Sequence, residues 1–390
     1  MNQNKRTFTT RLLTLAGGAA SAGPLAAISA LATTSGTAQA QSKAGAMREL
    51  TSTQLARQMG TGWNLGNSLE AIGGETAWGN PRVTQAFIDA VKAAGFKTIR
   101  IPVAWHDHAD AQDRIRPEWM ARVSEVVGYA RKAGLYVMIN MHWDGGWMQP
   151  TYAAQDMANA RLVTLWKQIA THFRDHDDFL LFAGTNEVMV DGDWGTPKPE
   201  NVKVQNGFNQ LFVDTVRATG GNNATRHLVV QGFNTNIEHT LNFVVLPKDS
   251  ARERLMMEVH FYDPYEFALD DKGSVWQWGA GATDKTAVAN WGDEAHVSQQ
   301  FARMKARFAD RGVPVILGEF GVIARTTRAG SEKYREAWNG HVARVAIANG
   351  MVPVYWDNGG TGEHGMGVFD RHTGRQAYPA VIKAIVSADR

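Results

Sequence analysis

Residues 83–103 read VTQAFIDAVKAAGFKTIRIPV. Phe87, Val91 and Ala94 fall on one helical face, Gly95 stops the helix, and an apolar run follows at once. A glycine-ended helix leading into a short strand without polar alternation is half of a parallel β–α unit. Strands covered on both faces carry near-continuous apolar side chains. The plan recurs. PEWMARVSEVVGYARKAGLYVMINMHW (117–143) starts its helix with Pro117 and ends it with Gly134. HVSQQFARMKARFADRGVPVILGEF (296–320) uses Gly312, and YREAWNGHVARVAIANGMVPVYW (334–356) uses Gly350. Strands are expected at 60–66, 98–103, 136–141, 179–184, 227–232, 255–260, 313–318 and 350–356. The connection at 236–254 has the weakest helical pattern. Eight such units predict a (β/α)8 TIM barrel, whose chemistry sits at the C-terminal ends of its strands. An open doubly wound sheet would place a glycine-rich phosphate turn between its first strand and helix. In GTGWNLGNSLE (60–70) the G-x-G precedes the strand instead.

The 390 residues fit one large barrel preceded by an export signal. Lys5, Arg6 and Arg11 open the chain, and Leu12 to Ala32 is weakly apolar. Ala38-Gln39-Ala40 is an A-x-A cleavage site, so residues 1–40 read as a secretory signal peptide and 41–390 as a single catalytic domain. Lys5-Arg6-Thr7-Phe8 is similar to a twin-arginine signal with one Arg replaced, and the general secretory route is equally compatible. Gly17, Gly18, Gly23 and Pro24 argue against a spanning helix. The mature protein is therefore expected to be secreted or periplasmic, without a membrane partner. Residues 1–40 hold three bases and no acid, which leaves 37 bases against 38 acids in the mature chain. That balance, with no basic run among aromatics, argues against a nucleic-acid partner. Cysteine is absent, so disulfides and thiolate metal sites are excluded. No cofactor is expected. No linker or low-complexity tract announces a second module, and a monomer is expected. The 13 Trp, 16 Phe and 8 Tyr suit a large core, and also a cleft in which pyranose faces stack on rings.

The expected strand ends hold the chemistry. TIRIPVAW supplies Arg100, NMHWDGGW supplies His142 and Trp143, and LLFAGTNEV (180–188) supplies Asn186 and Glu187. EVHFYDPY supplies His260 and Tyr262, LGEFG supplies Glu319, and VYWDNGG supplies Trp356. Any one of these has an ordinary structural reading. Their convergence on one rim points to a site. Cleaving a glycosidic bond requires an acid for the leaving oxygen and a carboxylate for the oxocarbenium-like centre. Glu187 and Glu319, on strands four and seven, are such a pair. The two must differ in protonation. Arg100 is expected to hold Glu319 ionised by charge-assisted hydrogen bonding, with Tyr262 donating to the same group.

With these residues in place, the chain resembles glycoside hydrolase family 5, the cellulase-type retaining enzymes of clan A, over essentially all of residues 47–390. That family's ordered strand-end set is Arg, His, Asn-Glu, His-x-Tyr, Glu and Trp. It falls here on Arg100, His142, Asn186 with Glu187, His260 with Tyr262, Glu319 and Trp356. The resemblance implies Glu187 as acid/base, Glu319 as nucleophile, Asn186 at the sugar 2-hydroxyl and Trp356 stacking under that sugar. GWNLGNSLEA and TAWGNP resemble the start of endoglucanase and xyloglucanase members, which adds Asn67 and Trp78, with Trp143, as further substrate-binding candidates.

The departure is at strand four. Many members read F-E-x-x-N-E-P there, whereas this chain has Phe182-Ala183-Gly184-Thr185-Asn186-Glu187-Val188. The chemistry needs neither missing residue, but the choice of polysaccharide is left open. The expected function is an endo-β-1,4-glucanase acting on cellulose or related β-glucans, with xyloglucanase or β-mannanase as alternatives. From other classes, a metal-dependent barrel hydrolase would use His142, Asp144, His260 and Asp263, and an inactive sugar-binding barrel would keep only the stacking rings. No metal is expected, since no H-x-H ends strand one. Loops 70–80, 144–158, 190–200 and 264–294 carry Trp78, Trp147, Trp194, Trp276, Trp278 and Trp291 as candidate subsite rings.

Overall fold

The computed structural model describes residues 45–389. The signal peptide expected at 1–40 lies outside the described residues. Eight parallel strands close in sequence order: β1 (Gly62–Leu65), β2 (Thr98–Ile101), β3 (Tyr136–Asn140), β4 (Leu180–Ala183), β5 (Leu228–Gln231), β6 (Leu255–Phe261), β7 (Val315–Phe320) and β8 (Met351–Asp357). β1 closes the barrel by pairing with β8, Asn64 opposite Trp356. The helices are α1 (Ser52–Met59), α2 (Gln85–Ala93), α3 (Pro117–Lys132), α4 (Tyr152–His172), α5 (Pro199–Ala218), α6 (Ile237–Phe243), α7 (Tyr265–Ala268), α8 (Glu294–Arg307), α9 (Glu332–Ala348) and α10 (Pro379–Val386). Among the described residues, no helix is long and apolar enough to cross a membrane.

The local signals act as their chemistry dictates. Thr51, Thr84 and Thr151 each accept a backbone N–H in the first turn of α1, α2 and α4. Gly95, Gly134, Gly312 and Gly350 all have φ between 70 and 112°, the left-handed turn that ends a helix and that glycine adopts without a Cβ penalty. The expected end of the seventh strand shifts. β7 begins at Val315 and runs to Phe320, so Glu319 lies within the strand rather than after it. Register irregularities interrupt the pairing of β7 with both neighbours there. The weak fifth connection holds one seven-residue helix, α6, capped by Asn236.

Two cores follow from the period-two alternation of the strands. Outside the barrel, Ile99, Val137, Phe182, Val259 and Leu317 pack under the helices. Inside it, Met138, Leu181, Val229, Met256, Ile316 and Val354 meet Leu55, Ala56 and Met59 of α1. Helix α1 thus closes the end where strands begin, and Thr98 Oγ1 donates to the Met59 carbonyl to fix it there. The strand ends at the other mouth are left for polar side chains.

Trp166 of α4 connects this packing to the site. It is fully buried between Phe182 and Phe212, and its indole N–H donates to the Gly184 carbonyl at 2.9 Å, two residues before Asn186. Trp166→Phe keeps a ring but strips that buried carbonyl of its donor. A loss of about 1–3 kcal/mol in unfolding free energy is expected, read by urea denaturation.

Candidate active site

A fully buried guanidinium organises the open mouth. From β2, Arg100 donates through Nη1 to Asn64 Oδ1 (3.0 Å) and Glu319 Oε1 (2.9 Å), and through Nη2 to Asn186 Oδ1. Its Nε lies 2.9 Å from Glu258 Oε1. Tyr262, two residues beyond His260, donates its hydroxyl to Glu319 Oε2 at 3.0 Å. Both Glu319 oxygens are therefore held, from β2 and from the end of β6. His260 spans the remaining carboxylates. Its Nδ1 is 2.8 Å from Glu187 Oε1 and 3.6 Å from Glu319 Oε2, and its Nε2 is 3.4 Å from Glu258 Oε1. A carboxylate oxygen of Glu187, one of Glu319 and a ring nitrogen of His260 all lie within 4.8 Å of one another.

Glu187 differs from Glu319 in access and in backbone. Its side chain is 31% exposed, against 7% for Glu319. Its φ of 46° puts a non-glycine residue in the left-handed region, a strained conformation of the kind that aims functional side chains. Asn186 sits beside it and also faces Asn140 Nδ2 at 3.4 Å. The His142 ring lies parallel to the Trp356 indole, centroids 5.9 Å apart and planes 7° apart. Burial, followed by the Arg100 charge, holds His142 well below its ordinary value, so it is neutral. Trp356 is half-buried, and the backbone at Gly66 presses against its indole.

The carboxylates do not titrate independently. Burial pushes Glu319 up, His260 and Arg100 pull it down, and Glu187 and Glu258 push it up again. Burial lowers His260, but the Glu319 charge and the bonds to Glu187 and Glu258 overcome it and raise the ring to about 9. For Glu258, burial acts upward and is outweighed by Arg100 and His260, which keep it ionised. Two cations thus face three carboxylates, of which Glu258 and Glu319 are buried and Glu187 is partly open to solvent. With their oxygens so close, the protons of Glu187 and Glu319 belong to the pair as a unit. The expected contacts of Arg100 and Tyr262 with Glu319 are present, and Glu258 shares the same guanidinium.

Sequence reasoning missed Glu258, Asn64, Asn140 and Gln231. The signal was present for Glu258. It alternates with His260 and Tyr262 in EVHFY, and a charge at an inward position of an otherwise apolar strand requires a partner. The four residues considered for a metal do not converge. Asp144 accepts backbone N–H groups of Trp105, His106 and Asp107, and Asp263 faces His296 at 3.1 Å. Of the loop rings, Trp147 and Trp278 are buried, and Trp278 donates to the Gly292 carbonyl and pins its loop. Trp276 packs on the core, and Trp194 is half-buried. Trp78, Trp143 and Trp291 are exposed. Trp143, 53% exposed, borders an open cleft lined also by Asn186, Glu187, Val188 and Met189. Asn67 lies in the loop after β1 with φ 56°, and its carbonyl accepts from Asn80.

The pattern of the family described as Cellulase (glycosyl hydrolase family 5) matches residues 64–362. The chain belongs to glycosyl hydrolase family 5. It is a glycoside hydrolase of the endo-β-1,4-glucanase type. Endoglucanase A of Paenibacillus barcinonensis is 40% identical over 369 residues, covering 89% of this chain and 92% of that one. The xyloglucan-specific endo-beta-1,4-glucanase of Bacteroides ovatus is 42% identical over 360 residues, 87% of this chain and 70% of that one. Its family 5 xyloglucanase structure with a XXXG heptasaccharide superposes with a TM-score of 0.84 at 40% identity, covering 88% and 78% of the two chains. A broad specificity endoglucanase from Bacteroides salanitronis gives 0.83 at 40% identity, with 88% and 96% covered.

The His260 position makes stability pH-dependent. Its folded value is raised to about 9 from an ordinary value of about 6.5. The stabilisation is therefore complete below about 6.5 and is lost as pH rises through 9. Urea denaturation between pH 6 and 9.5 is expected to show stability falling across that window, with a flatter dependence in His260→Asn. In the same cluster, Arg100→Lys is expected to lower kcat about 100-fold or more, because an ammonium cannot hold Asn64, Asn186, Glu258 and Glu319 at once. Steady-state assays at saturating polysaccharide read that loss.

Proposed function

We propose that this family 5 hydrolase is a retaining enzyme in which Glu319 is the nucleophile and Glu187 the acid/base, acting on internal β-1,4 bonds of glucans. The observation that carries the reading is the approach of the two carboxylates, an oxygen of each within 4.8 Å. A retaining mechanism needs the carboxyl groups about 5–5.5 Å apart, whereas an inverting one separates them by roughly 6.5–9.5 Å to admit a water. The environments fit the division of labour. Glu319 is fixed at both oxygens by Arg100 and Tyr262, as a nucleophile aimed at one carbon must be. Glu187 is the more exposed of the two and borders the open cleft beside Trp143, where a leaving sugar and later a water have access.

In the first step the Glu187 carboxyl gives its proton to the glycosidic oxygen while a Glu319 oxygen bonds to the anomeric carbon. The carbon–oxygen bond to the leaving chain breaks. In the second, Glu187, now a carboxylate, takes a proton from water, the water oxygen bonds to the same carbon, and Glu319 is released. Two inversions return the original configuration, and the proton inventory is restored. His260 remains bonded to Glu187 through both steps. Trp356 supports the sugar at the bond, and Asn186, anchored by Arg100, presents its amide to the 2-hydroxyl.

Both unbranched glucan and xylosyl-branched glucan are proposed as substrates, since endoglucanases and a xyloglucan-specific enzyme are similar to this chain over nearly its whole length. Exposed Trp78, Trp143 and Trp291 would serve as sugar platforms along the rim. Reducing-end release from carboxymethylcellulose, mixed-linkage glucan, xyloglucan and β-mannan ranks these substrates. Activity confined to β-mannan would overturn the glucan assignment. The basic start and the Ala38-Gln39-Ala40 site support export, and an N-terminus at Gln41 in protein recovered from the producing cells tests it.

Glu319→Ala is expected to abolish hydrolysis while the chain still folds and binds sugar, with a lowered melting temperature because Arg100 loses a buried counter-charge. Glu187→Ala is expected to lose about 100- to 10,000-fold on polysaccharide, the usual worth of general acid help. On an activated aryl β-glycoside it should show a burst of phenol followed by a slow phase that azide accelerates, yielding the β-glycosyl azide. An α-azide product would refute retention.

A further inference from the structure

Glu258 has no assigned part in this chemistry, yet it is fully buried beneath it. Its Oε1 lies 2.9 Å from Arg100 Nε and 3.4 Å from His260 Nε2, and its Oε2 accepts from Gln231 Nε2 at 2.7 Å. The fold makes room for it deliberately. A Cβ on Gly318 would stand 2.0 Å from Glu258 Oε1, so β7 carries glycine one residue before Glu319. The carboxylate sees no solvent and reaches no substrate, since His260 and Arg100 lie between it and the mouth.

We infer that Glu258 is a positioning residue that sets the proton count of the catalytic pair: it is the buried counter-charge that keeps Arg100 and His260 both cationic beneath Glu187 and Glu319 while leaving one proton on that pair. This rests on the roles proposed above. The charges facing Glu258 are Arg100 from β2, His260 from its own strand, Glu319 from β7 and Glu187 from the end of β4. His142 from β3 is neutral. β1 and β5 offer only the amides of Asn64 and Gln231. With Glu258 in place, two positive charges meet three carboxylates, and one proton must stay. Without it, two positive charges meet two carboxylates, and the proton on the pair is held less tightly. The active form then sheds a proton at lower pH, whether from His260 or from the pair.

Glu258→Gln tests this in the full-length enzyme with two readouts. The basic limb of the kcat/KM–pH profile should move acidward by about one unit, the scale on which a near charge shifts a titration, so that activity on that limb falls roughly tenfold. The 15N chemical shifts of His260, followed by NMR in histidine-labelled protein, should titrate at lower pH than in the wild type. Glu258→Asp, which keeps the charge, should leave the limb within a few tenths of a unit of its original place. A lower rate at every pH, with the limb and the His260 titration unmoved, would make Glu258 merely structural and overturn the inference. Should Glu258→Gln not fold, the unmodified enzyme still decides: a neutral His260 ring at pH 7.5 overturns it. The ring titration does not depend on turnover, so it is read separately from any failure of the Glu187 and Glu319 assignments.

Discussion

A guanidinium with no access to water has to be satisfied from every side or not be there at all. Arg100 is held from four strands: by hydrogen bonds to Asn64 on β1, Asn186 beyond β4 and Glu319 on β7, and by an ion pair with Glu258 on β6. Removing one partner from such a buried set is costly, because the remaining charge keeps its desolvation penalty. Arg100 reaches those partners only when the barrel is closed and these strands are in register. Barrel closure and active-site assembly are therefore the same event. The site adds a constraint to the fold instead of decorating it, and the polar layer at the mouth specifies register where the apolar layer below would tolerate several packings.

The fold was legible because each β–α unit repeats the same local physics. A capped amphipathic helix, a glycine in the left-handed region and an apolar strand leave few ways to connect the next unit, and the parallel crossover leaves one hand. The catalytic candidates were legible for a related reason. Strand termini are where a side chain changes from buried to functional, and Asn186, Glu187, His260 and Trp356 each sit at such a change. Glu258 was not legible by that rule, since it lies inside its strand. Whether such a residue is a stray charge or part of an inward layer depends on what faces it across the barrel. Gly318 carries the complementary information, but an absent side chain announces nothing until the carboxylate filling its space is seen. The strand-seven boundary missed by two residues for a similar reason: register irregularities on both edges of β7 move Glu319 into the ladder, and irregular register has no signature in apolar periodicity.

The loop tryptophans show the opposite limit. Six were equal candidates by composition and position. Trp147 and Trp278 turn inward and hold loops down, whereas Trp78 and Trp291 remain open to solvent. What separates them is a single partner, such as the Gly292 carbonyl for the Trp278 indole N–H, contributed by a residue fourteen positions away. Burial of an indole is decided by such loop-closing contacts, and these are too specific for composition to reveal. Trp143, adjoining a catalytic strand end, is the most exposed of the tryptophans and was found by its place beside His142.

Helix α1 gives the barrel an apolar floor. Leu55, Ala56 and Met59 fill the end opposite the carboxylates, and Met138, Leu181, Val229 and Ile316 lie between floor and mouth. That intervening layer carries no charge, so changes beneath it alter packing without altering the field at the reacting bond. Effects at sites that share no partners tend to add independently. The two ends of the barrel can therefore drift under separate selection. The floor answers to temperature and the rim to whichever polysaccharide is at hand, and one scaffold can be retuned for a new habitat without renegotiating its chemistry.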